Sequence, residues 1–278
     1  MTEKTLDDIG WTSEYLNSRR EVWSTPLPDE DRRLLWTDSV AERWDAAAPV
    51  REKLRTSIHD SVQAVGFAHV RNLIDPDAPD ESIVTALSFV LRDLGEIVPQ
   101  NARGDLTQVL RDRDGDGNTE LGFHCDTCDL LVLLCLRPAT RGGGNTKLAS
   151  ARHVHDIIEQ ERPDVLGLLK EEWTFDRAGR AGPQQVVSPI LFTQDDGKVC
   201  CYYQTRTVRA SAELDERRLE ALDYLDEVLY RPEIAFGLQL EASDLLVIRN
   251  SRVLHGRSPY VDEPATPRRM LRVWMNAR

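Results

Sequence analysis

The chain has 278 residues, enough to bury a large hydrophobic core and to form one large domain. Its hydrophobic fraction of 41% and charged fraction of 29% exclude a disordered, fibrous or membrane-embedded protein. Its formal net charge of −12 argues against a nucleic acid or an anionic membrane as partner, because binding phosphates requires a basic surface. We therefore expect a small-molecule partner and, because the first residues do not resemble a targeting signal, a cytoplasmic location. Composition predicts nothing about the oligomeric state.

The first 90 residues predict a mostly helical lead-in. Short helices are expected around "TPLPDED" within the first 48 residues. An amphipathic helix is predicted from Val50 to about Gly66, followed by a strand in "FAHVRNL". A second helix, "ESIVTALSFVLRDLG", is expected to end at Gly95.

From Phe123 onward the pattern changes to short strands. These are predicted in "FHCDTCDLLVLLCL", "NTKLASA", "KVCCYYQTRTV", "FGLQLEASDLLVIRN" and "RRMLRVWMNA". Helices are predicted in "ARHVHDIIEQERPDVLGLLKEE" and "DERRLEALDYLDEVLY". This order favours a mainly β, α+β fold, in which a sandwich or barrel is flanked by helices. No linker divides the chain, so residues 1–278 are expected to form a single domain.

The stretch "ELGFHCDTCDLLVLLCLRP" places metal-binding groups directly before an apolar run. Side chains alternate along a strand, so His124 and Asp126 are expected on one face and Cys125 on the other. Two ligands leave much of the coordination sphere of a metal open. A third ligand must therefore come from elsewhere in the chain.

His255 is the best candidate for that third ligand. Of the other histidines, His59 lies in a predicted helix, His69 in a strand, and His153 and His155 at the start of a helix, where each has a structural explanation. His255 directly follows an apolar strand, from which a closed barrel could return it to the metal. Two histidines and one carboxylate form a facial triad that suits non-haem Fe(II) and leaves positions for a cosubstrate and oxygen.

Two other patterns have weaker support. Cys125 and Cys128 form a C-x-x-C pair, but neither a redox site nor a zinc site has its other features here, and reduced packed thiols are expected. The segment "DRDGDGNTELGF" begins like a calcium loop, but Phe123 replaces the required glutamate. It is therefore predicted to be a solvated turn.

The C-terminal half completes a recognisable motif set. Thr146 follows a glycine-rich turn in "RGGGNTKLAS", and alternation in "TPRRMLRVW" places Arg268 and Arg272 on one strand face. Together with H-x-D and the distal histidine in "VLHGR", in this order, these motifs resemble the Fe(II)/2-oxoglutarate-dependent dioxygenases of the TauD/TfdA (taurine dioxygenase / clavaminate synthase-like) group. The resemblance covers about residues 95–278.

The resemblance implies a double-stranded β-helix (jelly roll) in which His124, Asp126 and His255 hold Fe(II). It also implies that Thr146 and Arg268 bind the distal carboxylate of 2-oxoglutarate, while Arg272 helps the cosubstrate or contacts an anionic group of the substrate. Arg269 is the alternative to Arg268, because the alignment of this loop could shift by one residue.

The reaction implied by the resemblance consumes O2 and 2-oxoglutarate and releases succinate and CO2. The expected outcome is hydroxylation of a C–H bond of a free small molecule, such as an amino acid derivative or a natural-product intermediate. Desaturation or ring closure by the same chemistry stays open as an alternative.

The residues predicted to contact the substrate are Asn101 in "PQNARG" and Gln204 and Arg206 on the strand predicted in "YYQTRTVR". Residues 173–185, "WTFDRAGRAGPQQ", are expected to cover the site. Two alternatives belong to other functional classes. A non-catalytic metal-binding or ligand-binding jelly roll would not need Thr146 and Arg268, and a zinc hydrolase would need a general base that the sequence does not offer.

Overall fold

The computed structural model describes residues 10–35, 46–75, 78–111, 118–176, 185–211 and 214–277. The calcium-like turn at residues 112–117 and the central part of the predicted cover, residues 177–184, lie outside these ranges. Among the described helices, none is long and apolar enough to cross a membrane.

The N-terminal third contains helices and the first strands. In chain order these are α1 (Ser13–Ser18), a 3₁₀ turn (Arg20–Val22), β1 (Ser24–Pro26), α2 (Asp29–Leu35), α3 (Ala48–Val65), β2 (Phe67–Arg71), α4 (Asp80–Leu91), β3 (Gly95–Val98) and β4 (Thr107–Leu110).

The remainder is dominated by strands. It contains β5 (Leu121–His124), β6 (Leu130–Arg137), β7 (Thr146–Ser150), α5 (Ala151–Glu161), α6 (Pro163–Leu169), β8 (Trp173–Asp176), β9 (Gln185–Ser188), β10 (Leu191–Thr193), β11 (Val199–Cys201), α7 (Thr205–Arg209), α8 (Glu216–Leu229), β12 (Phe236–Leu238), β13 (Leu245–Arg249), β14 (Val253–Arg257) and β15 (Arg269–Ala277).

Two sheets organise the molecule. The larger has the order β1-β2-β13-β6-β15-β3, and β4 also pairs with β15. The smaller has the order β12-β7-β14-β5. Pairing within them is antiparallel except between β1 and β2. Most neighbours in each sheet are distant in sequence, so the chain crosses repeatedly between sheets.

The buried residues form three layers, because side chains alternate along each strand. Between the sheets, Leu131 and Leu133 of β6 pack in one cluster with Leu148 of β7 and Val253 of β14. The other face of β6 packs in a cluster with α3 and α4. The outer face of the smaller sheet packs against α5, α6 and α8. The result is a mixed α+β architecture with helices on both outer faces.

The prediction of one continuous strand over residues 123–136 is wrong. Strand β5 ends at His124 in the smaller sheet, and β6 begins at Leu130 in the larger sheet. The Asn250 side chain holds the connection, because its Oδ1 accepts a hydrogen bond from the Asp126 amide (3.0 Å) and its Nδ2 donates to the carbonyls of Asp126 and of Cys128, the latter at 3.0 Å. Asp126 therefore lies in a turn between the sheets.

Other element boundaries differ for local reasons. Helix α3 begins at Ala48 and ends at Val65, where Gly66 caps it with φ of 81°. Helix α4 ends at Leu91, not at Gly95, which instead begins β3. The single helix predicted over residues 151–172 is two helices, since Pro163 cannot donate the backbone hydrogen bond that would continue α5.

Candidate metal centre and its two cavities

Three side chains converge at the open end between the sheets. His124 at the end of β5, His255 on β14 and Asp126 in the turn after β5 offer donor atoms that all lie within 4.8 Å of one another. The Nε2 atoms of the two histidines each lie 4.0 Å from an Asp126 oxygen. Antiparallel pairing of β14 with β5 places His255 directly opposite His124. The predicted convergence is therefore present, although Asp126 reaches it from a turn and not from the strand.

The surroundings of the two imidazoles are compatible with metal binding. The Nδ1 atom of His124 lies 2.9 Å from the Gly122 carbonyl, which accepts a hydrogen bond when that nitrogen carries the proton and leaves Nε2 free as a ligand. Burial, reinforced by His124, lowers the pKa of His255 to about 3, against the opposing influence of Asp126. At neutral pH His255 is therefore uncharged and can donate a lone pair.

Asp126 stays ionised despite its burial. Burial raises the pKa of its carboxyl group, but the positive charge of Arg272 and a hydrogen bond from Trp274 oppose this effect, and the pKa lies below its usual range. When both imidazoles coordinate in their neutral form, the two histidines and the carboxylate make a donor set with a single negative charge, which fits a divalent cation such as Fe(II).

One oxygen of Asp126 is held from outside the triad. Its Oδ2 accepts hydrogen bonds from Arg272 Nη1 (3.2 Å) and Trp274 Nε1 (3.0 Å), both on β15. The remaining donors of Arg272 bind two glutamine side chains. Its Nε donates to Gln100 Oε1 (2.8 Å) and its Nη2 donates to Gln108 Oε1 (2.7 Å). Arg272 lies beside the centre, as predicted from the sequence, but it contacts a proposed metal ligand.

The first of two cavities beside the triad, of about 340 Å³, contains the predicted cosubstrate residues. Thr146 at the start of β7 and Arg268 just before β15 line it and are only 4% and 7% exposed. Apolar walls come from Leu131, Leu133 and Met270.

Arg268 is a buried cation at the wall of this cavity. Burial lowers the pKa of its guanidinium, while Tyr260 raises it and packs against it with the guanidinium carbon 5.2 Å from the ring centroid. Within the described ranges Arg268 forms no ion pair with a carboxylate, so a ligand carboxylate would complete its charge compensation. Arg269 follows it in sequence, but the cavity is lined by Arg268, Met270 and Arg272.

The second cavity, of about 490 Å³, adjoins the first along His124 and Asp126 and has a more polar lining. Asn101, Gln204 and Arg206 line it, and Arg206 borders both cavities. The Asn101 side chain is engaged in its own turn with Asp105. Gln204 donates from Nε2 to the Cys125 carbonyl.

The strand predicted through Gln204 and Arg206 is wrong. Strand β11 ends at Cys201, and helix α7 begins at Thr205 with Gln204 as its N-cap residue. The chain leaves β11 because Tyr203 and Gln204 hydrogen-bond to the backbone of the turn after β5.

Several residues around the centre were not identified from the sequence. Trp274 donates a hydrogen bond to Asp126, and Gln108 accepts one from Arg272. Asn250 fixes the turn that carries Asp126. Trp274 could have been found, since it lies two residues after Arg272 on the same strand face. Gln108 and Asn250 approach from elements distant in sequence, and no motif marks them.

The C-x-x-C pair has no metal or disulfide partner among the described residues. All five cysteines are free thiols. Cys125 points away from the triad, and its Sγ lies 3.4 Å from the Cys201 carbonyl. Burial raises the pKa of Cys128 far above its usual range. The packing of these thiols agrees with the expectation from the sequence, and their reduced state stays a prediction.

Residues 31–274 match the family "Taurine catabolism dioxygenase TauD, TfdA family". Among similar sequences, FR-33289 synthase of Streptomyces rubellomurinus (strain ATCC 31215) is 30% identical over 226 residues, covering 71% of this chain and 66% of the synthase. The chain thus spans slightly less than two thirds of that relative. A uridine-5'-phosphate dioxygenase of Streptomyces sp. is 27% identical over 251 residues, covering 73% of this chain and 90% of that protein.

Solved structures show the same fold. An asparagine oxygenase in complex with Fe(II), 2S,3S-3-hydroxyasparagine and succinate superposes with a TM-score of 0.68 at 20% identity, covering 91% of this chain and 93% of its own. The non-haem iron oxygenase OrfP, in complex with Fe and alpha-ketoglutaric acid, gives a TM-score of 0.65 at 17% identity, covering 92% and 94%. With the family match over most of its length and the donor set in place, the chain belongs to the TauD/TfdA family of Fe(II)/2-oxoglutarate-dependent dioxygenases, which use Fe(II), 2-oxoglutarate and O2.

Proposed function

We propose that this dioxygenase hydroxylates a C–H bond of a free small molecule, such as an amino acid derivative or a natural-product intermediate, and releases succinate and CO2. The observation that carries the proposal is the position of the triad, which opens directly into a cavity lined by Thr146 and the buried Arg268. The uridine-5'-phosphate dioxygenases among the relatives are named for a small-molecule substrate, which supports this substrate class.

In this proposal His124, Asp126 and His255 hold Fe(II), which supplies the activation of O2 when bound. Arg268 pairs with the distal carboxylate of 2-oxoglutarate through its forked donors, and the Thr146 hydroxyl donates a further hydrogen bond. Arg272 supports the same site indirectly, since its guanidinium fixes Asp126. The apolar walls between Arg268 and the triad exclude water from the carbon chain of the cosubstrate.

We further propose that the two facing sheets form a double-stranded β-helix and that residues 1–278 form one domain. Strands β1 and β2, from the otherwise helical first 90 residues, belong to the larger sheet. Separating that segment would remove an edge of the sheet and part of its helical cover, which supports a single unit.

An anaerobic titration tests the proposed function. Metal-free protein is titrated with Fe(II) and then with 2-oxoglutarate, and the visible spectrum is recorded for the charge-transfer band of the chelated cosubstrate. We expect the band in the wild type and its loss in His124→Ala, with an unchanged far-ultraviolet circular dichroism spectrum. Iron binding without the band would favour a non-catalytic metal-binding protein, and absence of iron binding would contradict the triad.

A turnover assay complements the titration. Asp126→Ala should abolish oxidation of 2-oxoglutarate to succinate while the protein stays folded, because the carboxylate supplies the negative charge of the donor set. Retained succinate formation would contradict the role of Asp126.

A further inference from the structure

Arg206 is an exposed cation in the wall that the two cavities share. Within the described ranges it forms no hydrogen bond, ion pair or ring contact. The other arginine of α7 differs, because Arg209 pairs with both Asp223 and Asp226. Arg272, which also borders both cavities, uses its three nitrogens on Asp126 and two glutamines. Of Arg206 and Arg272, the two arginines that line the second cavity, Arg206 is thus the one available to a ligand.

The position of Arg206 is fixed relative to the metal centre. The Cys125 amide donates to the Tyr203 carbonyl (2.7 Å), Gln204 Nε2 donates to the Cys125 carbonyl, and Thr205 Oγ1 donates to the Phe123 carbonyl (3.3 Å). These bonds attach the three residues before Arg206 to the backbone on both sides of His124. The next residues, Thr207 and Val208, are buried and pack α7 against the interior of the protein.

The acidic residues that line the second cavity do not compensate the charge of Arg206. Glu120 is paired with Lys147, and its pKa is lowered chiefly by that hydrogen bond. Asp126 is committed to Arg272, Trp274 and the proposed metal. In a chain with a net charge of −12, a cation that no described residue pairs at this wall favours an anionic ligand.

We propose that the second cavity binds a polar substrate that carries an oxyanion, either a carboxylate or a phosphate. Arg206 binds this group. The forked guanidinium forms two parallel hydrogen bonds with either oxyanion. Gln204 and Asn101 lie on the same polar wall, beside the uncharged body of such a substrate. The identification of this ligand as the oxidised substrate rests on the proposed function, whereas the binding of the anion does not depend on turnover.

The test measures binding without turnover. Protein loaded with Zn(II) and 2-oxoglutarate is titrated calorimetrically with butyl phosphate, pentanoate and the uncharged pentanamide. We expect saturable binding of an anionic probe and affinity for the amide lower by about tenfold or more, the effect of a hydrogen bond to a charged group. The anion that binds more tightly distinguishes a phosphate substrate from a carboxylate substrate.

Variants assign the binding to Arg206. Arg206→Gln should weaken the anionic probes to the level of the amide, Arg206→Lys should keep part of the affinity, and Arg217→Gln, an exposed arginine of α8 outside both cavities, should bind as the wild type does. Equal affinities for anion and amide, or unchanged anion binding in Arg206→Gln, would overturn the proposal.

The charge-transfer titration separates this inference from the proposed function. Arg206→Gln should keep the band of chelated 2-oxoglutarate, because Arg268 and the triad are intact. Absence of the band in the wild type would instead contradict the proposed function. The anion measurement would still test whether Arg206 binds an anion.

Discussion

Asp126 connects the two sheets at the metal centre. Its backbone is held by Asn250, which directly follows β13, and its Oδ2 is held by Arg272 and Trp274 of β15. With Oδ2 committed to these donors, Oδ1 is the oxygen left for a metal. The hydrogen bonds therefore determine the direction from which the carboxylate approaches the ion.

Removing one of these donors tests this arrangement. Trp274→Phe keeps the ring but deletes the Nε1 donor, so we expect Co(II) affinity to fall by about 10-fold to 100-fold, as for other partners of metal ligands. The measurement is a competitive chelator titration of the folded protein. Trp23→Phe, which loses an equivalent hydrogen bond to the Leu16 carbonyl far from the centre, is the matched control and should bind Co(II) normally. Equal affinities in the two variants would contradict the role of Trp274.

Adjacent arginines provide a second test at the residue scale. Arg268→Ala should weaken 2-oxoglutarate binding by about tenfold or more, because a buried guanidinium that pairs with a carboxylate is lost. Arg269→Ala should have a much smaller effect, because Arg268 and not Arg269 lines the cavity. The dissociation constant comes from the charge-transfer titration. The opposite ranking would mean that Arg269 is the anchor.

At the scale of elements, the sequence predicted which residues meet at the site better than it predicted the elements that carry them. The H-x-D motif and the histidine after an apolar strand were sufficient to predict which three side chains converge. Strand alternation was the wrong reason for Asp126, because β5 ends at His124 and Asn250 shapes the turn that follows. The helix at Thr205–Arg209 was missed for a similar reason. Its start depends on hydrogen bonds to residues about 80 positions earlier, which no local pattern encodes.

Gly95 illustrates a residue whose role depends on a distant strand. It was predicted to end a helix, yet it begins β3, where an added Cβ would lie 2.1 Å from the Asn276 carbonyl oxygen of β15. Gly95→Ala should therefore destabilise the protein by about 1–3 kcal/mol, because backbone atoms must move apart.

The control is Gly167→Ala in α6. No atom lies within 4 Å of the added carbon there, and a helix gains roughly 0.5–1 kcal/mol from replacing glycine with alanine. Urea denaturation measures both variants. Equal stabilities of the two variants would show that β3 shifts freely along β15.

At the scale of the whole molecule, the metal ligands connect the sheets. His124 and His255 belong to the smaller sheet, while Asp126 is attached to β15 of the larger sheet. A bound ion therefore favours the assembled state. At a free Co(II) concentration 100 times its dissociation constant, the stabilisation is about 2.7 kcal/mol.

This stabilisation can be measured as a thermal shift. The unfolding temperature should rise by about 5–10 °C on saturation with Co(II), at roughly 2–4 °C per kcal/mol. His255→Ala, which lacks one ligand, should show a much smaller rise. A rise of the same size in both proteins would place the bound ion elsewhere.

The free thiols give this fold a built-in reporter of local opening. Cys125, Cys135, Cys200 and Cys201 are buried, and burial raises the pKa of Cys135 to about 12. A thiol that is both covered and protonated does not react with an alkylating reagent until the surrounding structure opens. Mass-spectrometric pulse labelling would therefore time the opening of the triad turn at Cys125 separately from that of the sheet core at Cys135.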